Sequence, residues 1–139
     1  MIKYLAVVFL FFSGVAGYTI DKFGQDLCVY EYIAVNTVTY FKELNGVSAN
    51  DPSMLGMCGL LSIILAIILI FIKNKYIYVG LIFILLVLEL TLLNMIETVS
   101  YKEIIFDSIV KCSNFSVLVW LLCQITFLIL SGIYLAKKQ

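Results

Sequence analysis

Met54–Ile72 (MLGMCGLLSIILAIILIFI) and Ile77–Ile96 (IYVGLIFILLVLELTLLNMI) are two apolar runs separated only by Lys73-Asn74-Lys75-Tyr76. Each is roughly 20 residues, the length that carries an α-helix across the hydrocarbon core of a bilayer. The first run has no charged side chain and the second has one, Glu89. Helices joined by so short a link lie antiparallel and side by side, so residues 54–96 are predicted to form a transmembrane hairpin.

Composition agrees. Hydrophobic residues make up 63% of the 139, and mean hydropathy is +1.10. A soluble domain of this size would expose large greasy patches. The net charge is zero, so no basic field exists to attract nucleic acid. Charge placement is more informative than the sum. Lys3, Lys73, Lys75, Lys137 and Lys138 flank apolar runs without acidic company. The remaining charges outside the spans sit in two mixed segments. Tyr18–Ser53 carries Asp21, Asp26, Glu31, Glu43 and Asp51 against Lys22 and Lys42; Glu97–Asn114 carries Glu97, Glu103 and Asp107 against Lys102 and Lys111. Lysine excess near span ends marks the cytoplasmic side. The hairpin turn and C-terminus are therefore expected inside, and both mixed segments outside.

Along the chain, residues 1–20 read in two ways. Lys3, the apolar Tyr4–Phe12 and the small Val15-Ala16-Gly17 suit a cleaved signal peptide, while Tyr4–Ile20 can equally stay as a first membrane helix. Residues 21–53 form an extracytoplasmic amphipathic segment. Phe23, Leu27, Tyr30, Ala34, Val38, Phe41 and Leu44 recur at helical spacing, which predicts a helix ending at Asn45-Gly46. The β-branched and aromatic crowd from Val29 to Tyr40 also fits a strand. Asp51 and Pro52 suit the start of the next helix. Gly56 and Gly59 would let another backbone come close.

Residues 97–114 are expected to hold a short interfacial helix, with a capping box at Ser100 and Glu103 and one face of Ile105, Phe106, Ile109 and Cys112. Residues 115–136 are the last span, and 137–139 a cytoplasmic tail. Tyr76, Tyr78, Tyr134 and Trp120 lie near span ends, where interfacial anchors belong.

Glu89 is the candidate centre of any chemistry. A charge at its depth costs several kcal/mol on insertion scales. With no Lys or Arg inside a span to pair with, it is expected protonated and facing the bundle interior. Gln124, Thr126, Ser62 and Thr91 reach similar depth, and Ser13 joins them if the first helix is kept; together they predict a midplane polar layer. Its structural reading is a carboxyl hydrogen-bonded to Gln124; its functional reading is a proton or cation site. Cys28 and Cys112 fall on the same side and are a candidate disulfide. Cys58 and Cys123 read as packing residues. Asn114-Phe115-Ser116 is a glycosylation sequon beside the membrane. The sequence has no histidine, which removes the usual zinc sites and His-based acid–base catalysis. There is no P-loop, dinucleotide fingerprint or nucleophile elbow.

The expected fold is an all-α integral membrane bundle of four helices, three if the signal peptide is cleaved, with short amphipathic helices on its outer face. It is expected in the secretory pathway or plasma membrane. The expected function is non-enzymatic: a structural or accessory subunit that meets the lipid bilayer and other membrane proteins or further copies of itself, without cofactor or metal. The contact surface is expected at Phe23, Leu27, Tyr30, Val38, Phe41, Ile105 and Ile109. The rival is a small channel or proton- or cation-linked carrier built on Glu89 and Gln124. A multi-span viral envelope protein is a third class, and a membrane enzyme the last.

Overall fold

A computed structural model describes residues 1–22, 27–44, 51–96 and 99–137. Its elements are α1 (Ile2–Lys22), β1 (Cys28–Tyr30), β2 (Val38–Tyr40), a 3-10 turn (Phe41–Glu43), α2 (Asp51–Phe71), α3 (Lys75–Asn94), α4 (Tyr101–Val110) and α5 (Phe115–Ala136). Four helices, α1, α2, α3 and α5, are long and apolar enough to cross a membrane. In lipid, no water can serve exposed backbone N–H and C=O groups, so a helix, which satisfies them internally, is the form these runs take. The predicted link between the central spans shortens to 72–74. Asn74 caps α3 by accepting from the Tyr76 N–H at 2.9 Å, as short polar side chains do at helix starts.

The tightest packing is α1 against α2, with α5 also seated on α1; the predicted hairpin partners α2 and α3 lie less close. Glycines explain the order. A methyl at Gly59 would meet the Tyr18 N, with the Gly14 O at 2.6 Å and the Gly17 carbonyl carbon at 2.8 Å. Gly14 is crowded in turn by Ile63 and the Gly59 carbonyl, and Gly17 by the Gly59 Cα and by Trp120 of α5. The expected close approach at Gly59 is therefore real, and its partner is the N-terminal helix. Lys3 fastens the other end of this pair. Its ammonium donates to the Ile70 and Ile72 carbonyls, 3.0 and 2.5 Å away, where α2 runs out of internal donors.

Two apolar clusters fill the bundle. One gathers Ala16, Ile20, Leu55, Cys58, Leu93, Val117 and Trp120 beneath the extramembrane elements. The other gathers Leu10, Leu65, Leu69, Tyr78, Leu85 and Phe127 toward the lysine-bearing turn.

The chain is not purely α. Where a helix is predicted, Cys28–Tyr30 pairs antiparallel with Val38–Tyr40 in the register Cys28↔Tyr40, Val29↔Thr39, Tyr30↔Val38. The β-branched and aromatic run is ambiguous by itself, and tertiary partners decide it. The free edge of β1 is taken up by α4: the Cys28 N–H donates to Ser108 Oγ at 3.2 Å and the Tyr30 N–H to Asp107 Oδ2 at 2.9 Å. Glu31 and Asn36 both adopt the left-handed backbone conformation, which is sparsely populated outside glycine and here shapes the connecting loop. Cys28 and Cys112 stand at disulfide distance with Cα atoms 6.6 Å apart, as the sequence predicts.

Other expectations shift in detail. Ser100 precedes α4 but its side chain makes no capping bond, so the capping box does not form. Ile104 and Ser108 face the interior, while Phe106, expected on one face with Ile105, Ile109 and Cys112, is 60% exposed. Tyr78 and Trp120 are buried packing residues and not interfacial anchors; Tyr76 alone of the named tyrosines is largely exposed. Tyr78 stacks edge-on against Tyr134, ring centroids 5.4 Å apart. Phe23, Asn45-Gly46 and Lys138 lie outside the described residues.

The seam yields a paired prediction. Gly59→Ala pushes a methyl into backbone that cannot swing aside, so unfolding in bicelles should show a loss of about 1–3 kcal/mol or more. At Gly132 an added methyl meets nothing within 4 Å. Gly132→Ala should therefore stay within about 0.5 kcal/mol of the parent.

Candidate functional site: a polar layer shared by four helices

Between the two apolar clusters lies one layer of polar side chains, a single residue from each long helix. Helical spacing of three or four residues sets it up. On α1, Ser13 sits between Leu10 and Ala16; on α2, Ser62 between Cys58 and Leu65; on α3, Glu89 between Leu85 and Leu93; on α5, Gln124 between Trp120 and Phe127. Each stripe is apolar except at the same level, so packing the apolar positions brings the polar ones together.

The bonds form a directed chain. Ser62 Oγ donates to Glu89 Oε1 at 2.8 Å, and Gln124 Nε2 donates to Glu89 Oε2 at 2.8 Å. Gln124 Oε1 accepts in turn from Ser13 Oγ at 2.9 Å, and the Ser13 hydroxyl also lies 3.0 Å from the Trp120 carbonyl. Gln124 bridges the two, with its NH₂ facing the acid and its oxygen facing Ser13. Both carboxyl oxygens of Glu89 are engaged, and the side chain is 5% exposed. The predicted Glu89–Gln124 contact is present, and Ser62 and Ser13 belong with it.

Thr91 and Thr126 do not. Each lies two residues beyond a layer member, about 200° around its helix. Their hydroxyls turn back on their own helices, donating to the Val87 and Leu122 carbonyls at 2.7 and 2.8 Å. Helical phase relative to Glu89 and Gln124 would have excluded them from the sequence alone. Phase would also have found a second bridge that sequence reasoning missed. Tyr78 and Ser131 share faces with Glu89 and Gln124, and their hydroxyl oxygens lie 2.9 Å apart. Trp120 shows the opposite case: its indole N–H is buried with no acceptor among the described residues.

The remaining candidates fall outside the layer. Leu27 and Phe41, expected on a partner-binding face, are 0% and 1% exposed and belong to the core. Tyr30 is half-buried under the Lys111 ammonium, 4.2 Å from its ring centroid, and Val38 is half-buried in β2. Ile105 and Ile109 are half-buried on α4. Asn114 is 7% exposed and spends its side chain capping α5, Oδ1 accepting from the Val117 N–H at 3.1 Å. Cys58 is buried and Cys123 half-buried, both as free thiols.

No family model, curated protein or solved structure matches this chain.

What the layer does energetically can be bounded. Hydrogen bonds between membrane helices average about 0.6 kcal/mol, and an orphaned buried partner costs about 1–3 kcal/mol. Glu89→Ala removes an acceptor from two donors and should destabilise the bundle by about 1–3 kcal/mol on those scales. Glu89→Gln keeps an acceptor toward Gln124 and a group that can bond the Ser62 oxygen, so its cost should stay below about 1 kcal/mol. Steric trapping in bicelles measures both.

Proposed function

We propose that the protein is a non-enzymatic, multi-span membrane protein that serves as a structural or accessory subunit of a larger membrane assembly. The observation that carries this reading is the closure of the polar layer. Ser13, Ser62, Glu89 and Gln124 bond one another across all four long helices. The intramembrane acid is thus engaged in holding helices together. The faces left over are apolar. Those of α3 are the most open, with Phe83 and Ile84 both well exposed. Gly80, beside them, has open space around it, which leaves room for a neighbouring backbone.

The topology that goes with this reading puts the lysine-only turn and the C-terminus in the cytoplasm, and the β-hairpin and α4 on the extracytoplasmic side of a secretory-pathway or plasma membrane. Two features support it. The lysine bias of the loops has the right sense, and the Cys28–Cys112 pair suits an oxidising compartment. Retention of residues 1–20 as a spanning helix is supported by what they supply: Ser13 to the layer, the glycines to the seam, and Lys3 to the end of α2. A cut after Gly17 would remove all three.

The second reading, a small proton- or cation-linked carrier, is favoured by one observation, the placing of a carboxyl where all four helices meet. Glu89→Gln separates the two. The expected outcome is unchanged co-purification of partner chains from native detergent and no flux in proteoliposomes with either protein. A wild-type flux that the variant loses while still folded replaces the proposal. Topology is checked separately: cysteines introduced as Val35→Cys and Asn74→Cys should label from opposite sides of sealed vesicles.

A further inference from the structure

Helix α4 is held close to a span end. Only Lys111–Asn114 separate it from α5, a link too short to let it drift from the membrane surface. The turn is made at Ser113 with φ 50°, and the Asn114 N–H donates back to the Ser108 carbonyl at 2.8 Å. Ile104 and Ser108 are fully buried, Ser108 against Cys28 of β1. That leaves a second apolar side on α4 without cover: Phe106 is 60% and Val110 55% exposed, above half-buried Ile105 and Ile109.

Between this side and α5 runs a groove of about 300 Å³ whose walls include Ile105, Phe106, Ile109, Val110 and Leu121, with Lys102 the charged residue of its lining. Leu121 lies six residues into α5, about 9 Å below its first residue at about 1.5 Å per residue, which is acyl-chain depth. Lys102 belongs to the extramembrane helix. Its stem can follow the apolar wall while the ammonium stays at the interface. No ion pair to Lys102 exists among the described residues, whereas Lys111 is occupied by the Tyr30 ring.

An apolar trough entering the membrane beneath one unpaired cation has the polarity profile of a phospholipid. A partner helix is a poorer match. With side chains a helix is about 10–12 Å across, roughly twice the width of an acyl chain, and α4 offers it a wall of under three turns. Resting on the reading of the long helices as membrane spans, we infer that the α4–α5 groove is a phospholipid site. One acyl chain lies along Ile105, Ile109 and Leu121, and the headgroup phosphate pairs with Lys102.

The test uses the full chain, purified in mild detergent and offered phosphatidylglycerol or diacylglycerol of the same acyl composition, with bound lipid counted by native mass spectrometry. The wild type should retain phosphatidylglycerol several-fold over diacylglycerol. Lys102→Gln should bring it down to the diacylglycerol level, and Lys111→Gln should leave it unchanged. Ile109→Trp, which fills the trough, should exclude both. Resistance of the buried Cys58 thiol to labelling verifies the fold of each variant. Equal retention by wild type and Lys102→Gln overturns the site. So does undiminished phosphatidylglycerol on folded Ile109→Trp, or loss of a co-purified protein chain from that variant with lipid unchanged.

Discussion

The carboxyl of Glu89 cannot sit between four helices unpaired, and the rest of the bundle is arranged to meet that condition. In hydrocarbon the hydrophobic effect does not drive helices together, because lipid tails are as apolar as leucine. What remains is close packing and polar bonding. Ser62 and Gln124 engage the two carboxyl oxygens, and Ser13 engages Gln124. Once those bonds are made, the axial position of each helix is set. Sliding any helix by one turn, about 5.4 Å, would place an apolar side chain against a polar group. The layer therefore acts as a register mark, a role that single buried polar residues are known to play in helical bundles.

Close packing does the complementary work at a different place. The seam of Gly14, Gly17 and Gly59 brings two backbones so near that a methyl on Gly59 would meet main-chain atoms. Its benefit is dispersion over a long contact, and it constrains α1 and α2 far more tightly than α2 and α3. Trp120 lies over the same crossing, its ring at the position a Gly17 side chain would occupy. That position explains a buried indole N–H with no acceptor among the described residues. The ring is placed by shape, at an expected cost of about 1–3 kcal/mol for the orphan donor.

How far the sequence could be read depended on which signals were local. Spans were legible because length and hydropathy alone decide them, and the Glu89–Gln124 contact because few polar residues share that depth. The Cys28–Cys112 pair followed from both cysteines lying on one side. The β-hairpin was not legible. Its residues fit either period, and the groups that settle the matter, Asp107 and Ser108, are far away in the chain. Leu27 and Phe41 looked like a surface stripe for the same reason: nothing local shows that they join one buried cluster with Ile104 and Val117. Thr91 and Thr126 are a different kind of miss. Depth alone admits them to the polar layer, and helical phase, equally available from the sequence, removes them.

The attachment of α3 brings these constraints together. It makes no glycine seam among the described residues, and its polar bridges to α5 run through long side chains, at Glu89–Gln124 and at Tyr78, which meets Ser131 and stacks on Tyr134. Tyr78 and Glu89 stand about three turns apart along α3, whereas Gln124 and Ser131 stand about two turns apart along α5. Straight parallel axes cannot satisfy both with short side chains, and the reach of tyrosine, glutamate and glutamine absorbs the difference. The same reach keeps the two backbones apart, leaving a shallow apolar groove beside Ser131 and Gly132. A helix held against α5 by two polar bridges and little intimate packing keeps its position there by bond geometry. Loss of either bridge should therefore loosen α3 before it loosens the α1–α2 pair.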